Sequence, residues 1–181
     1  MLIDSESSLL LIVDFQEKLA KAMDSQKIQV ITLNTSKLIK GFTALNMPIL
    51  YTQQYTKGLG DTLPELKNQL PFPHIEKTSF SCYGETSFVE TLKNVNKKHT
   101  IVCGMETHIC VLQTALELLD NDYKVSVISD ATISRSFKNH EDALKLLRHR
   151  GVNVLPYESI LFMLLKDAKN SVFKEISKLV R

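Results

Sequence analysis

Short apolar runs alternate with segments of helical spacing along the chain. The first run, "SLLLIVD", stays apolar until an acid ends it, which is typical of a strand buried on both faces. Further strand-like runs are "MPILYTQ", "IEKTSF", "HTIVCG", "KVSVISDA" and "VNVLP", and helix-like segments separate most of them. This alternation predicts an α/β fold, with a doubly wound, mainly parallel six-stranded sheet and helices on both faces, in the three-layer sandwich of Rossmann-like domains.

Composition narrows the class of protein. The chain has 181 residues, 44% of them hydrophobic, so we expect a single domain over residues 1–181. The formal net charge is +2 without long charged blocks, and the apolar runs are too short to span a bilayer, so we expect neither nucleic acid nor membrane as partner. Cys82, Cys103 and Cys110 show no CxxC spacing, which favours unpaired thiols and a cytoplasmic location.

Polar residues stand where the predicted strands end. Asp14 ends the first strand, Gln53 and Gln54 end the second, Lys77 lies at the third, Asp130 ends the fifth, and "GMETHIC" follows the fourth. Ligands of such sheets bind outside the carboxyl ends of the strands, so we expect these residues to meet at one edge. The Gly- and Pro-rich stretch 54–74, interpreted as a long loop with one helical turn, has a length that usually serves function.

Cys110 is the candidate nucleophile at this edge. Thr107 is placed as the N-cap of the helix that follows, which puts Cys110 in the first helical turn. The helix dipole and a neighbouring Lys77 favour a thiolate there, and Asp14 can hold the lysine and exchange a proton with the thiol. Free backbone N–H groups at the turn can bind an oxyanion.

Structural explanations remain open on spacing alone. A cysteine on an amphipathic helix is commonly buried filler, and an acid at a strand end is commonly a cap or turn residue. A lysine in a loop is usually solvated. His108 is an alternative base for Cys110, although a histidine two residues away at a helix start points to a different side.

Five stretches that together span nearly the whole chain carry a resemblance to a known family: "LLIVDFQ", "YTQQYTKGLGDTLPEL", "EKTSFSCYG", "VCGMETHICVLQTALELLDNDYKVSVISDATISR" and "HEDALKLLRHRGVNVLPYESILFMLL". By these stretches the chain resembles the isochorismatase-like cysteine hydrolases, closest to the isochorismatase domain-containing branch. This resemblance implies a catalytic triad of Asp14, Lys77 and Cys110. It further implies a cis peptide between Met105 and Glu106, with the amides of Glu106 and Cys110 as the oxyanion hole.

The resemblance also implies a reaction. We expect hydrolysis of a small-molecule amide or related carbonyl compound through a thioester, in a homo-oligomer of two or more subunits. Alternatives are a vinyl-ether hydrolase of the isochorismate type, a non-catalytic oligomeric interaction module, and, third, a nuclease. Candidates for the walls of the substrate pocket are Phe15, Gln53, Gln54, Tyr55, Phe80 and Tyr83.

No cofactor or metal is expected. The nicotinamidases, which the chain resembles in fold and triad, carry an Asp-x-His pair after the second strand, where this chain has "TQQYTKGLG". Neutral Gln53 and Gln54 are poor ligands for a transition metal. Gln53 and Thr56 also depart from the Glu and Pro of close relatives, so the identity of the substrate cannot be transferred.

The remaining candidates have structural interpretations. Cys103 lies in an apolar strand and is expected in the core, whereas Cys82 either lines the mouth of the site or packs. Asp130 and Arg135, in "SDATISR", are expected to fix the loop after the fifth strand. His140 heads a helix, where capping or a subunit contact is expected.

Overall fold

The computed structural model describes residues 3–70 and 73–181 and contains one six-stranded sheet. The strands are β1 (Ser8–Val13), β2 (Ile49–Gln54), β3 (Ile75–Lys77), β4 (His99–Met105), β5 (Lys124–Ile133) and β6 (Asn153–Leu155). Their order is β3-β2-β1-β4-β5-β6, and each neighbouring pair is parallel. The predicted α/β fold class is therefore confirmed. The order reverses between β1 and β4, which is the point where such sheets open a crevice for ligands.

Nine α-helices lie between or after the strands within the described residues. They are α1 (Glu17–Lys21), α2 (Ser25–Ala44), α3 (Thr56–Leu59), α4 (Pro64–Lys67), α5 (Thr86–Val95), α6 (Leu112–Asp120), α7 (Phe137–His149), α8 (Tyr157–Leu165) and α9 (Phe173–Leu179). No helix in these ranges is long and apolar enough to cross a membrane. The stretch predicted as a loop with one helical turn contains two, α3 and α4, and residues 71 and 72 of that stretch lie outside the described residues.

Two apolar layers cover the sheet, one on each face. Leu10 and Ile12 of β1 face α2, α8 and α9, whereas Leu9, Leu11 and Val13 face α5, α6 and α7. Every residue of β1 is consequently buried. Burial on both faces explains why the strand is continuously apolar rather than alternating.

Asp130 does not end the fifth strand, so that prediction is wrong. β5 continues to Ile133, and its pairing with β4 shifts register between the Val127 and Thr132 pairs. Within this irregular stretch Asp130 Oδ1 accepts a hydrogen bond from Tyr157 N at the start of α8, 2.8 Å away. A bulge redirects side chains, and here it sends the carboxylate to the α8 face instead of the site.

Gly104 allows β1 and β4 to approach closely beside the predicted site. It pairs with Val13, its φ is +130°, and a Cβ atom there would lie 2.0 Å from Val13 O. Only glycine tolerates both the backbone conformation and the contact. This approach brings Asp14, the residue after Val13, next to the turn that follows β4.

Replacing Gly104 with Ala should destabilise the fold by about 3 kcal/mol or more, because the new methyl group adds a backbone clash to an unfavourable φ. Gly151→Ala is the matched control, since Gly151 has φ +87° but a Cβ atom at that position would meet no other atom within 4 Å. It should lose only about 1–2 kcal/mol. Urea denaturation compares the two, and equal losses would contradict a steric role for Gly104.

Candidate active site

A buried ion pair joins the ends of β1 and β3. Lys77 Nζ lies 2.8 Å from Asp14 Oδ2, and both side chains have 0% exposure. Thr52, on β2 between the two strands, donates its hydroxyl to Asp14 Oδ1 at 2.7 Å. Asp14 itself has φ 51°, a left-handed conformation that Asp adopts more readily than most residues. The sheet therefore brings Asp14 and Lys77 together across β2.

The hydrogen bonds of Lys77 go to other acceptors. An ammonium group has three N–H donors. Lys77 Nζ donates to Gln54 Oε1, to Ser79 O at 3.0 Å and to Phe80 O at 3.0 Å. Asp14 Oδ2 accordingly faces the positive charge 2.8 Å away without a well-directed hydrogen bond from Lys77, and the Cys110 thiol also interacts with this carboxylate. Its lone pairs stay available to another donor.

Glu85 supports the carbonyl groups that surround the lysine. Its Oε1 accepts from Thr78 N at 2.8 Å, Ser79 N at 2.9 Å and Ser79 Oγ at 2.7 Å. The backbone N–H of Ser79, followed by that of Thr78, lowers the pKa of Glu85 to about 2. Sequence analysis missed this residue. Glu85 could have been found in the sequence as an acid that stands directly before α5 and only eight positions after Lys77.

Cys110 lies in a wide π-helical turn, Thr107–Val111, which leads into α6. The residue is 6% exposed, and its thiol interacts with the Asp14 carboxylate. Burial, followed by the charge of Asp14, raises the pKa of Cys110 to about 12, while Lys77 opposes the shift. Burial, and then the charge of Asp14, therefore oppose the thiolate that the helix start and Lys77 were expected to favour, and the resting state of the sulfur stays a prediction.

Burial and neighbouring charges also set the pKa values of Asp14 and Lys77. Burial raises the pKa of Asp14 above its ordinary value, although Lys77 and the Thr52 hydroxyl act in the opposite direction. Burial lowers the pKa of Lys77, but the charge of Asp14 and the nearby thiols Cys82 and Cys110 outweigh it, so the pKa is raised overall. Lys77 thus remains an ammonium ion at neutral pH.

The segment after β5 holds the turn before Cys110 at three consecutive residues. Glu106 Oε2 accepts from Arg135 N at 2.9 Å, and Glu106 is 4% exposed. Two further hydrogen bonds, each 2.9 Å long, link Thr107 Oγ1 to His140 Nδ1 and His108 Nδ1 to Ser134 Oγ. The Met105–Glu106 peptide bond is cis.

These contacts change several interpretations of the turn. Thr107 makes no side-chain cap, contrary to prediction, because its hydroxyl bonds to His140. His140 does not cap α7, because Ser136 does and the His140 ring contacts the turn, whereas its subunit contact stays a prediction. His108 is directed to Ser134, which leaves Asp14 as the base nearest to Cys110.

The six candidate wall residues of the substrate pocket differ in their exposure and in their contacts. Tyr55 and Phe80 are 54% and 56% exposed. Tyr55 follows Gln54 and Phe80 follows Ser79, and both of these preceding residues accept a hydrogen bond from Lys77 Nζ. Phe15 and Gln53 are each 1% exposed, and Gln53 bonds to Asp61 and Thr62, so neither lines an open pocket. Gln54 is half-buried, and its amide bonds to Lys77 and Thr78. Tyr83 packs on Tyr123, which precedes β5 at the amino edge of the sheet.

The two other cysteines lie on different faces of the sheet. Cys103 is fully buried in the core, as predicted. Cys82 is also fully buried, with Sγ 3.8 Å from Thr52 Oγ1, so it packs beside the Asp14–Lys77 pair and does not line an open mouth. Among the residues that the structure describes, no group of three or more His, Cys, Asp or Glu side chains is arranged to hold a metal ion.

Fold and site together define a class of three-layer α/β proteins in which an acid, a lysine and a thiol meet at the carboxyl edge of a parallel sheet. The family model of the isochorismatase domain matches residues 8–159. Isochorismatase domain-containing protein 2 of Danio rerio is 38% identical over 179 residues, 98% of this chain and 89% of that protein. The chain therefore belongs to the isochorismatase family, and this membership supports hydrolase activity.

Solved structures agree with this assignment. MAR1 ribonuclease from Caenorhabditis elegans superposes with a TM-score of 0.92 at 34% identity, over 99% of this chain and 92% of that chain. The YcaC gene product of Escherichia coli, described as an octameric hydrolase of unknown specificity, has a TM-score of 0.90 at 24% identity, over 99% and 89% of the two chains.

Replacing Lys77 with Met should leave the Asp14 charge buried and unpaired, at a cost of about 3–5 kcal/mol at neutral pH. The folded-state pKa of Asp14 then rises further above its unfolded value, so the folded protein binds more protons and its stability falls as pH increases. Denaturation at about pH 5 should consequently show a smaller loss than at about pH 8. The Asp14→Asn/Lys77→Met double variant is the control and should lose less. A loss that is independent of pH would contradict the buried pairing.

Proposed function

We propose that the protein is a thiol hydrolase of small-molecule amides or related carbonyl compounds, with Asp14, Lys77 and Cys110 as its catalytic triad. The observation that carries the proposal is the state of Asp14 Oδ2, which is paired in charge with Lys77, receives no well-directed hydrogen bond from that ammonium group, and belongs to the carboxylate that interacts with the Cys110 thiol. A carboxylate of this kind is suited to accept the thiol proton as sulfur attacks.

In the first half-reaction, Cys110 Sγ forms a bond to the carbonyl carbon while its proton moves to Asp14 Oδ2. The carbonyl electrons collect on oxygen, and the backbone N–H groups of Glu106 and Cys110 are the proposed donors to that oxyanion. When the oxyanion collapses, the C–N bond breaks and the amine leaves with the proton from Asp14. A thioester on Cys110 remains.

In the second half-reaction, water attacks the thioester carbon and gives one proton to Asp14. The C–S bond breaks, Asp14 returns the proton to sulfur, and the carboxylic acid product leaves. Lys77 gives up no proton in either half. Its role is to keep Asp14 ionised when the carboxylate is empty and to limit the charge that builds up in a buried site.

The thiol favours acyl chemistry over the vinyl-ether alternative, because a thioester needs a cysteine and vinyl-ether hydrolysis by relatives does not. The alternative of a non-catalytic interaction module gives no reason to bury an ion pair that lacks one hydrogen bond, since such a group is costly without a task.

RNA hydrolysis is a second candidate because the C. elegans neighbour is described as a ribonuclease. His108, which lies in the turn, and His140 of α7, which contacts the turn, would then be the acid and base. Both ring Nδ1 atoms already bond to the protein, to Ser134 and Thr107, and burial lowers the pKa of His140. We therefore place this candidate second.

Incubation with a panel of small primary amides should give an acyl adduct on Cys110, detected by intact-mass spectrometry after rapid acid quenching. Cys110→Ser should give none, and Cys103→Ser, which changes a buried thiol on the other face, should give the same adduct as the parent protein. A parallel incubation with a short RNA tests the second candidate. Cleavage that survives in Cys110→Ser, with no adduct from any amide, would overturn the thiol mechanism.

Self-association and a cytoplasmic location remain predictions. Val30 and Leu33 of α2 and Phe137 of α7 are large apolar side chains that are 56%, 56% and 60% exposed, a feature that favours a subunit contact. The E. coli relative is described as octameric.

A further inference from the structure

Gln54 is oriented by contacts at both ends of its amide. Its Nε2 donates to Thr78 O at 2.7 Å, which turns Oε1 toward Lys77 Nζ, where it accepts a hydrogen bond. Its backbone is bound by Gln16, whose Oε1 accepts from Gln54 N at 2.7 Å and whose Nε2 donates to Gln54 O at 3.0 Å. Gln54 therefore has little freedom to turn its amide toward a substrate.

The acceptor supplied by Gln54 decides where the third N–H of Lys77 goes. Ser79 O and Phe80 O take the other two. If Gln54 Oε1 were absent, the nearest remaining acceptor would be Asp14 Oδ2, already 2.8 Å from Nζ. A charge-assisted hydrogen bond would then stabilise the ionised carboxylate and make it a weaker base.

We propose that Gln54 is a positioning residue, which draws one N–H of Lys77 away from Asp14 and so keeps Asp14 Oδ2 free to take the Cys110 proton. This inference rests on the proposed function and assigns Gln54 a part in the proton transfer instead of substrate binding. Lys77 then acts on Asp14 through its charge alone, which keeps the acid ionised without occupying the oxygen that must accept a proton.

Few other titratable groups face this oxygen within the described residues. Asp14 interacts with Lys77 of β3, with Cys110 of the turn before α6, and with Cys82 of the short 3₁₀ turn Cys82–Gly84. Glu85, before α5, bonds to the backbone N–H groups of residues 78 and 79, behind the carbonyls that hold Lys77 and Gln54. A change at Gln54 should therefore reach the reaction through Lys77 and Asp14.

The test measures the rate at which iodoacetamide alkylates Cys110 over a pH series from about 4 to 9. Peptide mapping by mass spectrometry assigns the adduct to Cys110. Alkylation requires loss of the thiol proton but no substrate, so its acid limb reports the ability of Asp14 to accept that proton. Circular dichroism and thermal melting establish that each variant is folded.

Gln54→Met removes the acceptor at similar length, so the acid limb should move down by about one pH unit and the plateau rate should fall by about three- to tenfold. Gln54→Glu keeps an acceptor for Lys77 and adds negative charge, so the limb should move up. Gln54→Asn, whose shorter amide cannot span both partners, should behave like Gln54→Met and replaces it if that variant does not fold.

Gln53→Met is the matched control. Its amide lies on the neighbouring position of β2, buried, and bonds to Asp61 and Thr62 instead of Lys77. It should lower the melting temperature without moving the acid limb. A limb that stays in place in both Gln54→Met and Gln54→Glu, or moves in the same direction in both, would overturn the inference. Opposite shifts without an acyl adduct from any amide would uphold it and instead overturn amide hydrolysis.

Discussion

The arrangement of the site depends on one buried ion pair, Asp14 with Lys77, whose charges meet while their hydrogen bonds go elsewhere. Ions removed from water must be neutralised and their polar atoms satisfied, or the fold loses several kcal/mol. Lys77 meets this demand through Gln54 and two backbone carbonyls, and Asp14 meets half of it through Thr52. The remaining carboxylate oxygen, Asp14 Oδ2, is the one assigned to accept the proton of the Cys110 thiol.

The rest of the fold places the thiol against that oxygen. Gly104 lets β4 approach β1 beside Asp14, and the turn that follows is held at three successive residues by Ser134, Arg135 and His140. Cys110 is thus fixed by the sheet on one side and by the segment after β5 on the other. A nucleophile held in this way loses little conformational entropy when it attacks.

Periodicity predicted the sheet well, because strands buried on both faces must be apolar throughout, and parallel topology then brings Asp14, Lys77 and Cys110 to one edge. The bulge in β5 was not predictable, because the polar Ser129 and Asp130 within it are equally typical of the end of a strand, and Asp130 was misplaced as a result. The burial and the Asp14 charge that raise the pKa of the Cys110 thiol, against the helix start and Lys77, are also not readable from sequence spacing. Two of the three hydrogen-bond acceptors of Lys77 are backbone carbonyls, which no residue type in the sequence reveals.

The protonation state of resting Cys110 tests this arrangement most sharply, and infrared spectroscopy of its S–H stretch at neutral pH measures it. The difference spectrum between the parent protein and Cys110→Ser should contain an S–H band, because burial and the adjacent Asp14 carboxylate raise the pKa of the thiol to about 12. The arrangement would be contradicted by a difference spectrum without S–H intensity, together with a protonated carboxyl band that Asp14→Asn removes. That result would mean that the proton already rests on Asp14 and that sulfur is a thiolate.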